Sequence, residues 1–167
     1  MPHTDHHAAV RTPSPCRCAI LVTTDTRNPK TDESGKLAAE ILTAAGHRAR
    51  APVLVPNDKD SIQSAIEEAM PNTDLILLTG GTGPSSRDVT LEAVRPLLEK
   101  ELDGFGELFR RLSYDAIGTA AWISRATAGV RKGVILVATP GSPDAVRLAL
   151  EKVLLPELGH LRGMAAK

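Results

Sequence analysis

The chain has 167 residues, of which 20 are Lys or Arg and 20 are Asp or Glu, so its formal net charge is zero. A neutral chain has no overall field to attract DNA, RNA or an anionic membrane surface, and an aromatic content of 2% is too low for base-stacking platforms. No apolar run approaches the ~20 residues of a membrane span, and no signal-peptide core is recognisable. We therefore expect a cytoplasmic protein that binds neither nucleic acid nor membrane.

The first segment, residues 1–15, is polar, contains three prolines and has no hydrophobic periodicity, which predicts a disordered tail. Residues 16–167 are then expected to form one domain, as the chain length favours. Cys16 and Cys18 lie at the start of the first apolar run. Because these are the only two cysteines of the sequence, we expect reduced thiols at the beginning of a strand.

Hydrophobic periodicity predicts alternating strands and helices through the first half of the chain. Short apolar runs indicate buried strands, and apolar residues spaced three or four apart indicate helices. Asp60 or Ser61 is expected to cap the second helix. The predicted elements are a strand over 18–23, a helix over 34–45, a strand near a sheet edge over 48–55, a helix from 60 or 61 to 70, and a buried central strand over 74–79.

The second half contains a helical insert, residues 104–129. Thr90 is predicted to cap a helix that Pro96 kinks. Gly104 and Gly106 are predicted to mark a break in helical structure after it. The remaining predicted elements are helices over 107–112, 115–125 and 143–154 and a buried strand over 134–138. This order predicts a single-domain, three-layer α/β fold, Rossmann-like, with a mostly parallel central sheet.

A glycine-rich loop follows the predicted central strand directly. Thr79-Gly80-Gly81-Thr82-Gly83 comes first, and Arg87 and Asp88 follow. Glycines permit positive φ and let backbone N–H groups approach a ligand closely. The spacing matches neither the dinucleotide motif GxGxxG nor the phosphate-loop motif GxxxxGK[ST], and 23–30, after the first strand, contains no glycine. A tight turn with a capping acid is the structural alternative; otherwise the loop indicates another kind of nucleotide or cofactor site.

This loop resembles the TGGTG segment of the MoaB/Mog family of molybdenum cofactor biosynthesis proteins, in which an Asp precedes Val-Thr. Further segments resemble the same family in order along the chain, and together they cover residues 17–160. These are Thr24-Asp25-Thr26-Arg27, Gly104-Phe105-Gly106-Glu107-Leu108-Phe109-Arg110-Arg111-Leu112-Ser113-Tyr114, Ser124-Arg125-Ala126, Pro140-Gly141-Ser142-Pro143 and Pro156-Glu157-Leu158-Gly159-His160.

The resemblance implies a nucleotidyltransferase that adenylylates molybdopterin with Mg²⁺·ATP and releases pyrophosphate. ATP and molybdopterin are then the substrates, and Mg²⁺ the cofactor. The attacking pterin phosphate is already ionised, so the protein needs to supply positioning and charge neutralisation rather than a base. Asp88 matches the family's acid after TGGTG and is expected to be catalytic and to hold Mg²⁺.

The family's second acid lies in a Pro-Asp-Asp pattern after the second strand, where this chain has Pro56-Asn57-Asp58. Two hypotheses stay open. In the first, Asp58 is a second catalytic acid. In the second, the functional carboxylate has been replaced by the amide of Asn57, and the protein is a catalytically inactive paralogue that binds molybdopterin or a nucleotide.

The resemblance also implies a binding set and an assembly. Arg125, like Arg27, is expected to contact substrate phosphates or, alternatively, to form a surface ion pair. A homotrimer or homohexamer is expected, since one small sheet would not bury all the apolar residues of the insert, Phe105, Phe109, Ile117, Trp122 and Ile123. The predicted binding residues are Asp25, Asn57, Thr79, Gly80, Gly81, Thr82, Gly83, Arg87, Ser113, Ser124, Arg125, Pro140, Gly141 and Ser142.

Overall fold

A computed structural model describes residues 14–167 of the chain. The predicted tail, residues 1–15, therefore lies outside the described residues except for its last two. Of these, Ser14 accepts hydrogen bonds from the Arg162 guanidinium through both its carbonyl and its hydroxyl oxygen. Within the described part of the chain, every helix is too short or too polar to cross a membrane.

Seven strands form one mixed sheet in the order β2-β1-β4-β7-β6-β5, and β3 also pairs with β1. Strands β1 to β4 and β7 run parallel, whereas β6 is antiparallel to both β7 and β5. This confirms the predicted α/β fold with a mostly parallel sheet. The strands are β1 (Arg17–Thr23), β2 (Arg48–Ala49), β3 (Val53–Val55), β4 (Leu75–Thr79), β5 (Lys100–Glu101), β6 (Thr127–Arg131) and β7 (Val134–Thr139).

Helices cover both faces of the sheet. Gly118–Ile123 and Arg95–Leu97 are short 3-10 helices, and Ala149–Leu154 is a π-helical segment that joins the last two α-helices. The α-helices are α1 (Glu33–Ala44), α2 (Lys59–Ala69), α3 (Thr90–Val94), α4 (Asp103–Ile117), α5 (Pro143–Leu148) and α6 (Leu155–Ala165).

The three central strands β1, β4 and β7 are buried on both faces, which is why their sequences are almost continuously apolar. Alternate residues of β4 enter different cores: Leu75 and Leu77 pack with α1, α4, α5 and α6, while Ile76 and Leu78 pack with α2 and α3. Helix α1 thus leaves β1 on one face, and α3 leaves β4 on the other. The loops after these two adjacent strands diverge and open a cleft between them, as at the switch point of other open α/β sheets.

The two cysteines are buried free thiols at the start of β1, as predicted. Burial raises the pKa of the Cys18 thiol to about 12. Both side chains point into the same core, so Cys18 stays protonated and acts as a small apolar residue.

Several element boundaries differ from the prediction. The strand predicted over 48–55 is interrupted at 50–52 and forms β2 and β3, both at the edge beside β1. Helix α2 begins earlier than predicted because Asp58, rather than Asp60 or Ser61, is its cap. Thr90 does not cap α3; its hydroxyl donates to the carbonyl of Gly80 instead.

The insert also differs. Gly104 and Gly106 do not interrupt the helical structure. They lie in the first turn of α4, one helix of 15 residues. A Cβ at Gly106 would lie 2.8 Å from the carbonyl oxygen of Ala126, so glycine permits a close helix–strand approach here. Phe105 and Phe109 are buried, whereas several large apolar residues of the insert stay exposed. These exposed insert residues are Leu108, Tyr114, Ile117, Trp122 and Ile123.

Candidate functional site

A polar cleft of about 590 Å³ lies at the carboxyl ends of β1, β4 and β7. It is bounded by the loops that follow β1, β3, β4 and β7 and by the segment just before β6. The predicted site residues that line it are Asp25, Asn57, Gly80, Gly81, Thr82, Gly83, Arg87, Asp88, Ser124, Arg125, Pro140 and Gly141.

The glycine loop needs glycine for two reasons. Gly80 and Gly81 have φ values of 92° and 64°, a region that L side chains rarely adopt. Space is also lacking: a Cβ at Gly80 would lie 2.4 Å from the carbonyl oxygen of Thr23, and one at Gly81 would lie 2.7 Å from Oδ1 of Asn57. The loops after β1, β3 and β4 therefore meet around these two glycines with no room for a side chain.

Hydrogen bonds close the base of the glycine loop. Thr90 Oγ1 donates to Gly80 O at 2.7 Å, and Thr90 N donates to Gly81 O at 2.9 Å. Gly80 N in turn donates to Thr139 O at the end of β7, at 3.0 Å. The start of the loop is thus tied both to α3 and to the next strand, which leaves the apex, residues 82–88, to face the cleft.

Asp88 lies on the cleft wall and is half-buried. Its backbone N–H donates to Ser85 O at 3.0 Å, while the hydrogen bonds found among residues 14–167 leave its carboxylate without a donor. A Cβ at Gly83 would lie 2.7 Å from Oδ2 of Asp88, so the carboxylate packs directly over that glycine. The arrangement presents unpaired carboxylate oxygens to whatever enters the cleft.

Asn57 and Asp58 have different positions. Asn57 lines the cleft and bridges two loops: its N–H donates to Asp25 Oδ1 at 2.9 Å, and its Oδ1 accepts from Val89 N at 3.4 Å. Asp58 is exposed and does not line the cleft; its Oδ2 accepts from the N–H and the hydroxyl of Ser61 at 2.9 and 2.8 Å. These two bonds hold the pKa of the Asp58 carboxyl below its ordinary value. Geometry therefore favours a helix cap over the catalytic acid predicted for this position.

The arginines of the cleft are partly engaged by the protein itself. Arg27 Nη1 donates to Ser34 Oγ at 3.1 Å and to Gly141 O at 3.2 Å, which ties the loop after β1 to the loop after β7. Arg125 forms the predicted alternative, an ion pair, with Glu92. Arg87 is exposed on the cleft wall, where its guanidinium can meet an anionic ligand.

A second cavity, of about 340 Å³, adjoins the cleft and shares Ser124 and Pro140 with it. Phe109, Ile117 and Leu148 give it an apolar lining, and Arg147 and Lys152 stand among its polar lining residues. We refer to it as the apolar pocket. Its walls come from α4, α5 and the π-helical segment.

Three predicted binding residues are not on the cleft. Ser113 and Ser142 line the apolar pocket instead, where the Ser113 hydroxyl donates to Phe109 O at 2.8 Å and the Ser142 hydroxyl caps α5. Thr79 is fully buried and lines neither cavity; its hydroxyl donates to Pro140 O at 3.1 Å. Thr79 thus holds the loop after β7 rather than a ligand.

Comparison with known proteins assigns the family. The pattern of the family described as "Probable molybdopterin binding domain" matches residues 19–160 of this chain. Molybdenum cofactor biosynthesis protein B of Bacillus subtilis (strain 168) is 48% identical over 152 residues, which cover 89% of each chain. The chain belongs to the MoaB/Mog family. Its work therefore lies in molybdenum cofactor biosynthesis, and the resemblance inferred from the motifs is confirmed.

Solved structures of MoaB proteins have the same fold. A crystal structure of molybdenum cofactor biosynthesis protein B has 46% identity and a TM-score of 0.88, and covers 92% of this chain and 97% of its own. The tungsten cofactor synthesizing protein MoaB from Pyrococcus furiosus has 35% identity and a TM-score of 0.85, with 93% and 99% of the two chains covered. The fold on which the cleft and the apolar pocket are built is thus shared with solved MoaB structures.

Five residues that line the cleft of this MoaB/Mog protein were not predicted from the sequence: Thr23, Thr24, Thr26, Ser85 and Ile123. Thr23 ends β1, and its buried Oγ1 has no hydrogen-bond partner among residues 14–167. A threonine that ends an otherwise apolar strand before a polar run was a usable signal. Ile123 has no such signal in the sequence, since an apolar residue in a helical insert is expected to pack in the core.

Proposed function

We propose that this chain adenylylates molybdopterin with Mg²⁺·ATP and releases pyrophosphate. The observation that carries the proposal is the cleft position of Asp88, whose carboxylate stands unpaired beside the glycine loop at the carboxyl end of the central strand. The relatives named above are described as molybdenum or tungsten cofactor biosynthesis proteins, which supports a pterin substrate.

The two adjoining cavities suit the two substrates. The cleft is lined by the glycine loop, by Arg87 and by carboxylates, which fits a triphosphate with its counter-ion. The apolar pocket, with Phe109 and Leu148, fits a flat pterin ring. The wall that they share, at Ser124 and Pro140, then becomes the place where the pterin phosphate meets the α-phosphate of ATP.

The acids of the cleft fit a magnesium ion that arrives with its nucleotide. Among residues 14–167, His, Cys, Asp and Glu do not form a group of three that could hold a metal by themselves. Mg²⁺ commonly takes one or two carboxylates and completes its shell with phosphate oxygens and water. Asp88 and Asp25 would hold it here. When bound, the ion neutralises charge on the phosphates.

The chain itself performs positioning. An oxygen of the pterin phosphate attacks the α-phosphorus of ATP, a new P–O bond forms, and the bond to pyrophosphate breaks. Because the nucleophile is already ionised, no side chain has to remove a proton. The rigid glycine loop and Arg87 hold the nucleotide, while the apolar pocket holds the pterin in line.

A direct assay tests the proposal. Purified protein is incubated with Mg²⁺, ATP and molybdopterin, and pyrophosphate and adenylylated pterin are both measured. We expect the two products in equal amounts. Absence of both, with the protein folded and saturated with molybdopterin, would contradict the proposed reaction.

A second candidate is a protein that binds molybdopterin or a nucleotide without turnover. Asn57 favours it, since a neutral amide stands on the cleft wall at the loop where the family pattern has an acid. This candidate predicts binding of molybdopterin, measured by quenching of pterin fluorescence, together with no pyrophosphate above the protein-free control.

The exposed insert residues support a further element of the proposal, a homotrimer or homohexamer. Trp122 is 77% exposed, Tyr114 55% and Ile117 54%. Exposed apolar surface of this kind commonly marks an interface. Sedimentation velocity at micromolar concentration should give a mass of three or six chains; a monomer would contradict the assembly without affecting the proposed chemistry.

A further inference from the structure

Glu92 and Arg125 connect the insert to the apex of the glycine loop. Arg125 Nε donates to Thr82 O at 2.8 Å, while Nη1 and Nη2 donate to the two carboxylate oxygens of Glu92 at 2.6 and 3.1 Å. The guanidinium thus binds a backbone carbonyl with one edge and a carboxylate with the other. It remains on the cleft wall, close enough to Asp88 to interact with its charge.

This contact holds a part of the loop that the base does not. Thr90 secures Gly80 and Gly81. Beyond them, the apex runs from Thr82 to Asp88, and its carbonyl at Thr82 is held from outside the loop by Arg125. The apex carries the acid of the proposed reaction, so a shift at Thr82 changes where the Asp88 carboxylate stands.

We infer that Glu92 is a positioning residue that acts through Arg125: it orients the guanidinium so that Nε stays on the Thr82 carbonyl and fixes the apex that carries Asp88. The inference rests on the proposed function for its effect on turnover. The contact itself concerns the loop alone and can be measured without substrate.

The geometry gives Arg125 a structural role. Three of its five guanidinium N–H groups already have a protein acceptor, and the Glu92 carboxylate compensates its charge. Hydrogen bonding to Arg125 also holds the pKa of the Glu92 carboxyl below its usual range, so the pair stays ionised near neutral pH. An ion pair this exposed, with 31% of the Arg125 and 47% of the Glu92 side chain accessible, contributes little to global stability. Its removal should therefore act locally.

The first test is amide hydrogen exchange of residues 82–88 in the protein without nucleotide. Glu92→Gln and Arg125→Gln should each accelerate exchange in this segment about fivefold, the upper range for losing one exposed pair, with the melting temperature nearly unchanged. Asp115→Asn is the matched control, because it removes an exposed ion pair, with Arg111, on α4. Unchanged exchange in Glu92→Gln would overturn the inference.

The second test separates positioning from charge in the transfer assay. Glu92→Gln should lower kcat about tenfold and leave KM for ATP within about twofold, since ground-state binding is retained. Arg125→Lys keeps the positive charge but cannot bridge two partners, so it should be as impaired as Arg125→Gln. The double variant Glu92→Gln/Arg125→Gln should match Arg125→Gln alone, because both changes break one connection.

Three results would contradict the inference: an additive double variant, a rate restored by Arg125→Lys, or a change confined to KM for ATP. The last two would mean that Arg125 binds phosphate directly. If the wild-type protein forms no adenylylated pterin, the exchange experiment still decides whether Glu92 fixes the apex, and only the proposed function fails.

Discussion

Asp58 and Asp88 follow the two strands that flank β1, yet the protein uses their carboxylates differently. Helix α2 begins at Lys59, so Asp58 immediately precedes it and becomes its cap. Helix α3 begins at Thr90, two residues after Asp88, and no side chain among residues 14–167 caps it. The Asp88 carboxylate lines the cleft instead. The distance between an acid and the next helix therefore decides whether its oxygens cap the helix or line the cleft.

The largest expected effect comes from Asp88→Asn, which keeps the shape of the side chain and removes its charge. We expect turnover to fall by at least ~100-fold, because loss of a metal-binding carboxylate commonly costs several kcal/mol of transition-state stabilisation. Molybdopterin binding should persist. Transfer at the wild-type rate would refute the catalytic role, whereas a large loss of melting temperature would show that Asp88 mainly supports the loop.

Asn57→Asp sharpens the comparison by adding a carboxylate at the cleft. The half-saturating Mg²⁺ concentration for transfer should fall about fivefold, since even in water opposite unit charges at 4 Å gain about 1 kcal/mol. Asp58→Asn, one residue further along, is the control and should leave this concentration unchanged. If Asp58→Asn instead abolishes turnover, Asp58 is the second catalytic acid.

Asp58→Ala tests the structural side of the comparison. Alanine cannot accept the two hydrogen bonds from Ser61 that begin α2. The melting temperature should fall by about 2–4 °C, the range for loss of an N-cap in a chain of this size, while turnover at 25 °C is kept. An unchanged melting temperature would mean that the cap does not stabilise the fold.

The smallest expected effect is the pH dependence of that cap. Hydrogen bonds from Ser61 lower the pKa of folded Asp58 below its ordinary 3.8. The stabilisation is therefore complete above pH 3.8 and is lost as pH falls through the lower, folded-state pKa. Melting temperatures of the wild type and Asp58→Ala, measured from pH 7 to 3, should differ most at neutral pH and converge at the acidic end; a constant difference would speak against an ionised cap.

Sequence alone predicts the central sheet well and its periphery poorly. Strands β1, β4 and β7 must be apolar because both of their faces are covered, and that constraint is visible in the sequence. Strands β5 and β6 carry no such signal. Strand β5 consists of two charged residues. Strand β6 contains Gly129, and a Cβ added at this position would lie 2.4 Å from Lys100 O. Their pairing depends on tertiary contact.

The site divides in the same way. The residue types of the glycine loop follow from local backbone geometry, so Gly80, Gly81 and Asp88 are predictable as cleft residues. The choice between Asn57 and Asp58 is not, because it depends on where α2 begins, to within one residue. Glu92 is a further case, since its link to Arg125 spans 33 residues and depends on tertiary contact.

Asn57 connects the walls of the cleft to one another. Through its N–H to Asp25 and its side-chain oxygen to the N–H of Val89, it joins the loops that follow three different strands. The walls of the cleft are thus held together by hydrogen bonds of the protein itself, and a ligand need not spend its binding free energy on ordering them. We expect the backbone of these loops to move by less than about 1 Å when ATP binds, as in other preorganised complexes. Affinity in this cleft is then set by the ligand's charge and shape rather than by the entropy of closing a loop.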